Sequence, residues 1–187
     1  NILMDTLRFN HQRFERPAVM DELGLAEKKY IVFTLNRKAI IGNDDELRAL
    51  LVSMMSHTGD IPVVAPLRQL AADAVQCIVN ENPLLFENLH IVEPLDYLHF
   101  GYLTANALGV VTDSGNVAEE ATFNTVPCIT LNSYTEHIET VKVGSNVLVG
   151  EDPVLLGEEM ARMVDGKWKH CGIPERWDGR SAERIVQ

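Results

Sequence analysis

The stretch Gly109-Val110-Val111-Thr112-Asp113-Ser114-Gly115-Asn116-Val117-Ala118-Glu119-Glu120-Ala121 carries the clearest chemical signal in the chain. A β-branched run ends at Thr112, small polar residues follow, and the pattern predicts a helix beginning near Asn116. Such a turn sets the N–H groups of Ser114, Gly115 and Asn116 at the positive end of a helix dipole, where phosphate can be held. Gly115 lets the backbone approach a ligand closely, and the Ser114 hydroxyl adds a donor. The same residues equally suit an ordinary Ser/Asn-capped helix. Glu119 and Glu120 read as solvated helix surface, with one of them able to reach back and accept from a ribose diol. His57 and His90 read as surface or strand-end residues, and His11 and His170 fall in irregular ends. No HExxH, paired CxxC or carboxylate cluster suggests a metal, and no GxSxG suggests a hydrolase elbow. Neither a metal nor a cofactor is expected.

Such a turn needs strands and helices to hold it, and the chain alternates them. Tyr30–Leu35 is a continuous apolar run that predicts a buried strand. In the helix expected over Asp44–Ser56, Leu47, Leu50, Leu51 and Met54 recur at helical spacing, with Asn43 or Asp44 as cap. The cycle repeats: strand 61–66, helix 69–80, strand 89–92, helix 97–107, strand 109–112, helix 117–123, strands 128–131 and 147–149, helix 153–164. This order predicts βαβ units and an α/β, Rossmann-like three-layer domain with a mostly parallel six-stranded sheet. Ligands of such sheets bind at the carboxyl ends of the strands, where strand order reverses. Residues 21–166 form the expected core. Residues 1–20, read as a short apolar turn and a mixed stretch, and the tail 167–187, with Trp168, Trp177 and a closing helix from Arg180, fall outside it. Both ends look suited to packing on a missing neighbour.

Sixteen Lys and Arg against 27 Asp and Glu leave a net charge of −11, which argues against nucleic acid, whose phosphates need a basic surface. A small phosphorylated ligand is still accommodated by backbone N–H groups. No run of roughly 18 apolar residues predicts a membrane span, and no leader is visible. The opening Asn1-Ile2-Leu3-Met4-Asp5 reads as the middle of a longer protein. Cys77 and Cys128 read as small core residues, and three cysteines that cannot all pair fit a reduced, cytoplasmic setting.

Asp113-Ser114-Gly115-Asn116, followed after two residues by Glu119-Glu120-Ala121, resembles the DSGGxxEEA motif of the non-hydrolysing UDP-N-acetylglucosamine 2-epimerases, with Asn116 in place of the second Gly. Four further matches fall in family order. Asn1 to Leu7 resembles the interdomain hinge, and Pro94-Leu95-Asp96-Tyr97-Leu98-His99-Phe100 resembles PLxYLPF. Thr135-Glu136-His137-Ile138-Glu139 with Gly144 resembles TERPExxxxG, and Asp178-Gly179 with Ala182 and Arg184-Ile185 resembles GDGxAxxRI. The resemblance implies the C-terminal lobe of a two-lobed, GT-B-type isomerase. It implies a diphosphate on Ser114, Gly115 and Asn116, ribose on Glu120 and uracil against Phe100, which otherwise reads as core. The implied partners are a UDP-sugar and the missing N-terminal lobe, with a homodimer left open. The implied role is interconversion of UDP-GlcNAc and UDP-ManNAc, by elimination and re-addition of UDP, in supplying polysaccharide precursors.

The resemblance breaks at one loop. Where the family has GHRRExxG, this chain has Leu35-Asn36-Arg37-Lys38-Ala39-Ile40-Ile41-Gly42, so Asn36 replaces the His and Ala39 the Glu. Arg37 and Lys38 keep the positive charge, whereas Asn36 cannot shuttle a proton. Arg68 stands where a family His is expected, and His137 where the Arg of TERPE is expected. His137 and His99 are the histidines that loops can bring toward the reacting proton. The catalytic residues are therefore unassigned in this chain, which is not expected to act alone. Two other readings remain: a UDP-sugar-binding module without turnover, and the donor lobe of a GT-B glycosyltransferase.

Overall fold

The computed structural model of the chain describes residues 2–175 and 177–186. Its elements run α1 (Ile2–Asn10), α2 (Val19–Glu22), β1 (Ile31–Phe33), α3 (Lys38–Ile41), α4 (Asp44–Met55), β2 (Val63–Pro66), α5 (Gln69–Glu81), β3 (Leu89–Val92) and α6 (Tyr97–Ala105). They continue with β4 (Gly109–Thr112), α7 (Gly115–Phe123), β5 (Cys128–Thr130), α8 (Glu139–Lys142), β6 (Asn146–Leu148), α9 (Pro153–Val164) and α10 (Ser181–Val186). The six strands lie in the order β3-β2-β1-β4-β5-β6 and every described pairing is parallel, where a mostly parallel sheet was expected. The chain builds outward from β1 through β2 to β3, then returns to build outward again from β4. Strand order therefore reverses between β1 and β4, and the turns leaving these two strands open a crevice.

Helices cover both faces, so the central strands β1, β2 and β4 are buried on both sides and read as nearly continuous apolar runs. The period of two sorts these residues into two cores. Ile31, Phe33 and Leu35 join Val63, Ala65, Val111 and Ile129 against α3, α4, α5 and α9. Tyr30, Val32, Val64, Val110 and Cys128 pack with Leu103, Ala118 and Ala121 on the other face. Tyr30 also donates its hydroxyl to the Leu103 carbonyl at 2.5 Å, which satisfies a buried polar group. Helices α4, α6 and α9 start on side-chain caps, whereas α5 has none. Asn43 accepts from Glu46 N–H, Asp96 from His99 N–H, and Asp152 from the N–H groups of Val154 and Leu155, with Pro153 following it.

Several expectations need correction. Residues 2–10 form a helix rather than a short turn, because Met4 and Leu7, one helical turn apart, bury against Trp177. Asp5 then caps α10, accepting from Ser181 N–H at 2.8 Å and from Ala182 N–H at 2.5 Å. The two ends thus pack on each other, although Asn1 of the expected hinge motif and Gln187 of the expected tail lie outside the described residues. Cys77 is exposed, since Ala71, Val75 and Ile78 form the buried stripe of α5 and Cys77 points away from it. α6 ends at Ala105 rather than at Ala107, and α7 begins at Gly115.

Gly144 is set by close approach. A Cβ there would press on the Thr122 side chain of α7 and lie 2.7 Å from the Thr140 carbonyl of α8. Backbone on one side and a buried threonine on the other leave no room to yield. Gly144→Ala is expected to cost about 1–3 kcal/mol, the usual range for overpacking. Denaturant unfolding checks this, and an unchanged midpoint would contradict the close fit.

Candidate functional site

Three strand-end turns meet at the crevice, and hydrogen bonds fix their spacing. The Asp113 carboxylate, 8% exposed, follows β4 and accepts through Oδ2 from Asn36 N–H at 2.8 Å and Arg37 N–H at 2.6 Å. Its other oxygen is buried without a hydrogen-bond partner. Just before these turns, the hydroxyls of Thr34 and Thr112 meet at 2.7 Å. The turn after β5 joins through Asn132, which donates to the Asp113 carbonyl at 3.1 Å.

On this frame Ser114 is the N-cap of α7. Its backbone N–H donates to the Thr112 hydroxyl at 3.0 Å, and its Oγ accepts from Val117 N–H at 3.4 Å. Gly115 and Asn116 occupy the first two helical positions, whose N–H groups have no acceptor within the helix. A Cβ at Gly115 would meet nothing within 4 Å, and Gly115 has no positive φ. Neither packing nor backbone strain calls for glycine there, and the space above it is open. The residues required for an anion cradle are present.

Hollows flank this turn. One, of about 490 Å³, is lined by Arg37, Asp113, Ser114, Gly115, Asn116 and His137, together with the loop 132–136. The other, of about 200 Å³, is lined by Thr34, Asn36, Arg68, Phe100 and Val117. The candidates thus divide: Arg37, the Ser114–Asn116 turn and His137 meet on one side, Arg68 and Phe100 on the other. Phe100 is half-buried against the core and edges the smaller hollow. Lys38 opens α3 as an exposed residue and lines neither hollow. Ala39, beside it, is exposed as well.

Arg37 is heavily engaged. Its Nη1 donates to the Leu131 carbonyl at 3.1 Å and to Asn132 Oδ1 at 3.0 Å, and its Nη2 lies 3.1 Å from Glu151. Glu46 bonds to that same Glu151, which raises the Glu46 carboxyl above its ordinary value. His99 sits away from both hollows between Asp96, at 2.7 Å, and Glu15, at 3.2 Å.

The acidic pair on α7 is not the solvated surface expected: Glu119 is 2% and Glu120 8% exposed. Burial first, and the charge of Glu119 second, push the Glu120 carboxyl up to about 7. Glu120 lines neither hollow and lies within electrostatic reach of Tyr97 on α6, whose phenol it helps to raise. Glu119 meets His137 Nε2 at 2.5 Å. A buried polar chain supports the His137 loop: Thr130 Oγ1 donates to Asn146 Oδ1, Asn146 Nδ2 to Thr140 Oγ1, and Thr140 Oγ1 to the His137 carbonyl. Reading the residues in order missed Asp113, Glu119, Asn132, Asn146 and Glu151 as parts of the site. Asp113 and Glu119 stand inside the quoted motif; for the others no local pattern points to the role. Among the described residues no group of three metal-ligating side chains occurs and no helix is long and apolar enough to cross a membrane.

The profile of the UDP-N-acetylglucosamine 2-epimerase family matches residues 1–187. A UDP-N-acetylglucosamine 2-epimerase of Methanococcus maripaludis is 34% identical over 166 residues, covering 85% of this chain and 44% of that protein. A UDP-2,3-diacetamido-2,3-dideoxy-D-glucuronate 2-epimerase of Pseudomonas aeruginosa is 32% identical over 189 residues, covering 100% of this chain and 50% of that protein. The structure of Methanocaldococcus jannaschii UDP-GlcNAc 2-epimerase in complex with UDP-GlcNAc and UDP superposes with a TM-score of 0.78 at 28% identity. It covers 100% of this chain and 53% of that one. Glycosyltransferase VinC, at 16% identity and a TM-score of 0.57 over 92% of this chain and 39% of its own, shares the fold alone. The chain spans about half the length of the relatives it matches. A full-length profile match and relatives above 30% identity lead to one conclusion: this chain belongs to the UDP-N-acetylglucosamine 2-epimerase family.

Proposed function

We propose that the chain is the UDP-sugar-binding C-terminal lobe of a cytoplasmic isomerase that interconverts UDP-GlcNAc and UDP-ManNAc for polysaccharide synthesis. The observation that carries this reading is the α7 N-terminus, with unused N–H groups at Gly115 and Asn116 and open space above Gly115. In this reading Ser114, Gly115 and Asn116 hold the diphosphate. Arg37, Lys38 and His137 supply charge around it, Arg68 adds a different phosphate contact, Phe100 packs on the uracil, and Glu120 serves the ribose. Residues 1–20 act as the hinge, 21–166 as the UDP-binding domain, and 167–187 cross toward an N-terminal lobe that supplies the acidic groups for proton transfer; two such proteins pair as a homodimer. A second reading, binding without turnover, is favoured by Asn36 and Ala39, which leave the loop after β1 with charge but without a proton carrier.

Three measurements test these assignments. Gly115→Val fills the open space without touching the core, so it should leave the melting temperature nearly unchanged. UDP affinity, followed by amide shifts, should weaken at least about tenfold, the equivalent of roughly 1.4 kcal/mol; unimpaired binding would remove the cradle from the site.

The Glu120 carboxyl gives a pH signature. With its folded value at about 7 and its ordinary value at 4.5, the folded state holds a proton that the unfolded chain has released between these limits. Its contribution therefore makes stability fall as pH rises through that window, by on the order of 3 kcal/mol, and level off above it. Glu120→Gln should flatten the trend and be relatively more stable at pH 8 than at pH 5. An identical pH dependence in both proteins would refute the assignment.

For catalysis, the full-length protein is compared with its Asn36→His, Ala39→Glu variant on UDP-GlcNAc. Restoring a positioned proton-transfer group should raise turnover by about 10²–10⁴-fold. If the unmodified protein is already as fast as its variant, the loop is not what limits it.

A further inference from the structure

The Glu119–His137 contact has no part in the roles above. Glu119 projects from α7 with its carboxylate buried, 2.5 Å from Nε2 of His137 at the edge of the larger hollow. Glu139 lies 3.5 Å from the other ring nitrogen, Nδ1, too far for a good hydrogen bond. A carboxylate opposite each nitrogen suits the doubly protonated ring, which carries an N–H on both sides. The loop beneath the ring is fixed as well: His137 N–H donates to Thr135 Oγ1 at 3.1 Å, and Thr140 holds the His137 carbonyl at 2.8 Å. Nε2 is thus firmly held and Nδ1 loosely, the arrangement in which a buried carboxylate orients an imidazole and supports its cation.

We propose that Glu119 positions His137 as the proton-dependent cationic ligand of the diphosphate in this hollow, so that the anion binds together with one proton. The proposal rests on the diphosphate reading of the hollow given above. When the anion arrives, Nδ1 exchanges its long contact with Glu139 for a phosphate oxygen, while Nε2 stays on Glu119. No covalent bond other than the ring N–H changes, and the proton comes from solvent. Arg37, the other cation in the wall, keeps its charge at every working pH but already serves Leu131, Asn132 and Glu151. The remaining charged groups on the ring or in this wall are carboxylates, Glu119 on α7, Glu139 on α8, Glu136 in the same loop and Asp113 after β4, and Tyr134 is the other titratable side chain of the lining. His137 is therefore the group whose protonation decides whether the wall attracts or repels an anion.

The test is calorimetric titration of the 187-residue chain with UDP-GlcNAc, whose diphosphate diester does not itself titrate near neutrality. Affinity is expected to fall with rising pH, approaching tenfold per pH unit where one proton is fully coupled. Heats in buffers of different ionisation enthalpy should report uptake approaching one proton. His137→Arg should bind equally well across the range, and His137→Gln weakly and without pH dependence. Glu119→Gln, which releases the ring from its fixed position, should weaken UDP-GlcNAc binding; should that buried substitution prevent folding, the two His137 variants decide the matter. A slope that persists in His137→Gln, as it would if Glu120 were its source, overturns the proposal, and so does a flat profile in the unmodified chain. If UDP-GlcNAc binds at no pH, even to His137→Arg, the diphosphate reading itself has failed.

Discussion

One carboxylate oxygen holds the site together. Asp113 Oδ2 accepts two backbone N–H groups from the turn after β1 while its own residue begins the turn after β4. Bonds from charged acceptors to backbone donors are among the stronger ones, worth about 1.5–3 kcal/mol where they are buried. This one spans the reversal of strand order, where adjacent turns diverge and open a crevice. Asn132 adds the third turn by donating to the Asp113 carbonyl. Without that anchor, Asn36 and Arg37 would have no fixed place beside Ser114, and the hollows would lose a common wall.

The electrostatics are local rather than global. A chain with a net charge of −11 repels anions at long range. At the crevice, helix-terminal N–H groups and an imidazole bracketed by carboxylates set the potential over a few ångströms. Arg37 contributes mainly as a tie between the turns after β1 and β5 and Glu151.

Much of the fold was legible from local pattern. Strands buried on both faces appear as runs such as Tyr30–Leu35, and the stripe Leu47, Leu50, Leu51 and Met54 marks α4 because its period matches the buried face. The turn Ser114–Asn116 was legible as well, because capping chemistry is written within a few residues. What escaped depended on distant partners. Residues 2–10 gain a reason to be helical from Trp177, far along the chain. Glu119 and Glu120 carry the surface signature of paired acids, yet α7 lies where the His137 loop and α6 cover it. Cys77 was misplaced because a small sulfur side chain reads as core by type, whereas its angular position on α5 faces outward. The engagement of Arg37 was hidden too, since Leu131, Asn132 and Glu151 follow it by about a hundred residues.

The packing of α1 on α10 has a kinetic meaning. Asp5 and Ser181 are separated by 176 positions, so their contact closes nearly the whole chain into a loop. The entropy of that closure is lost at once, while the reward is a small cluster of Met4, Leu7 and Trp177 rather than a main core. Contacts of such high order form late in folding, after the strands between them have paired. The same arithmetic makes this junction an early site of opening in the native state, ahead of the sheet. On these grounds the sheet is expected to outlast the junction of the terminal helices.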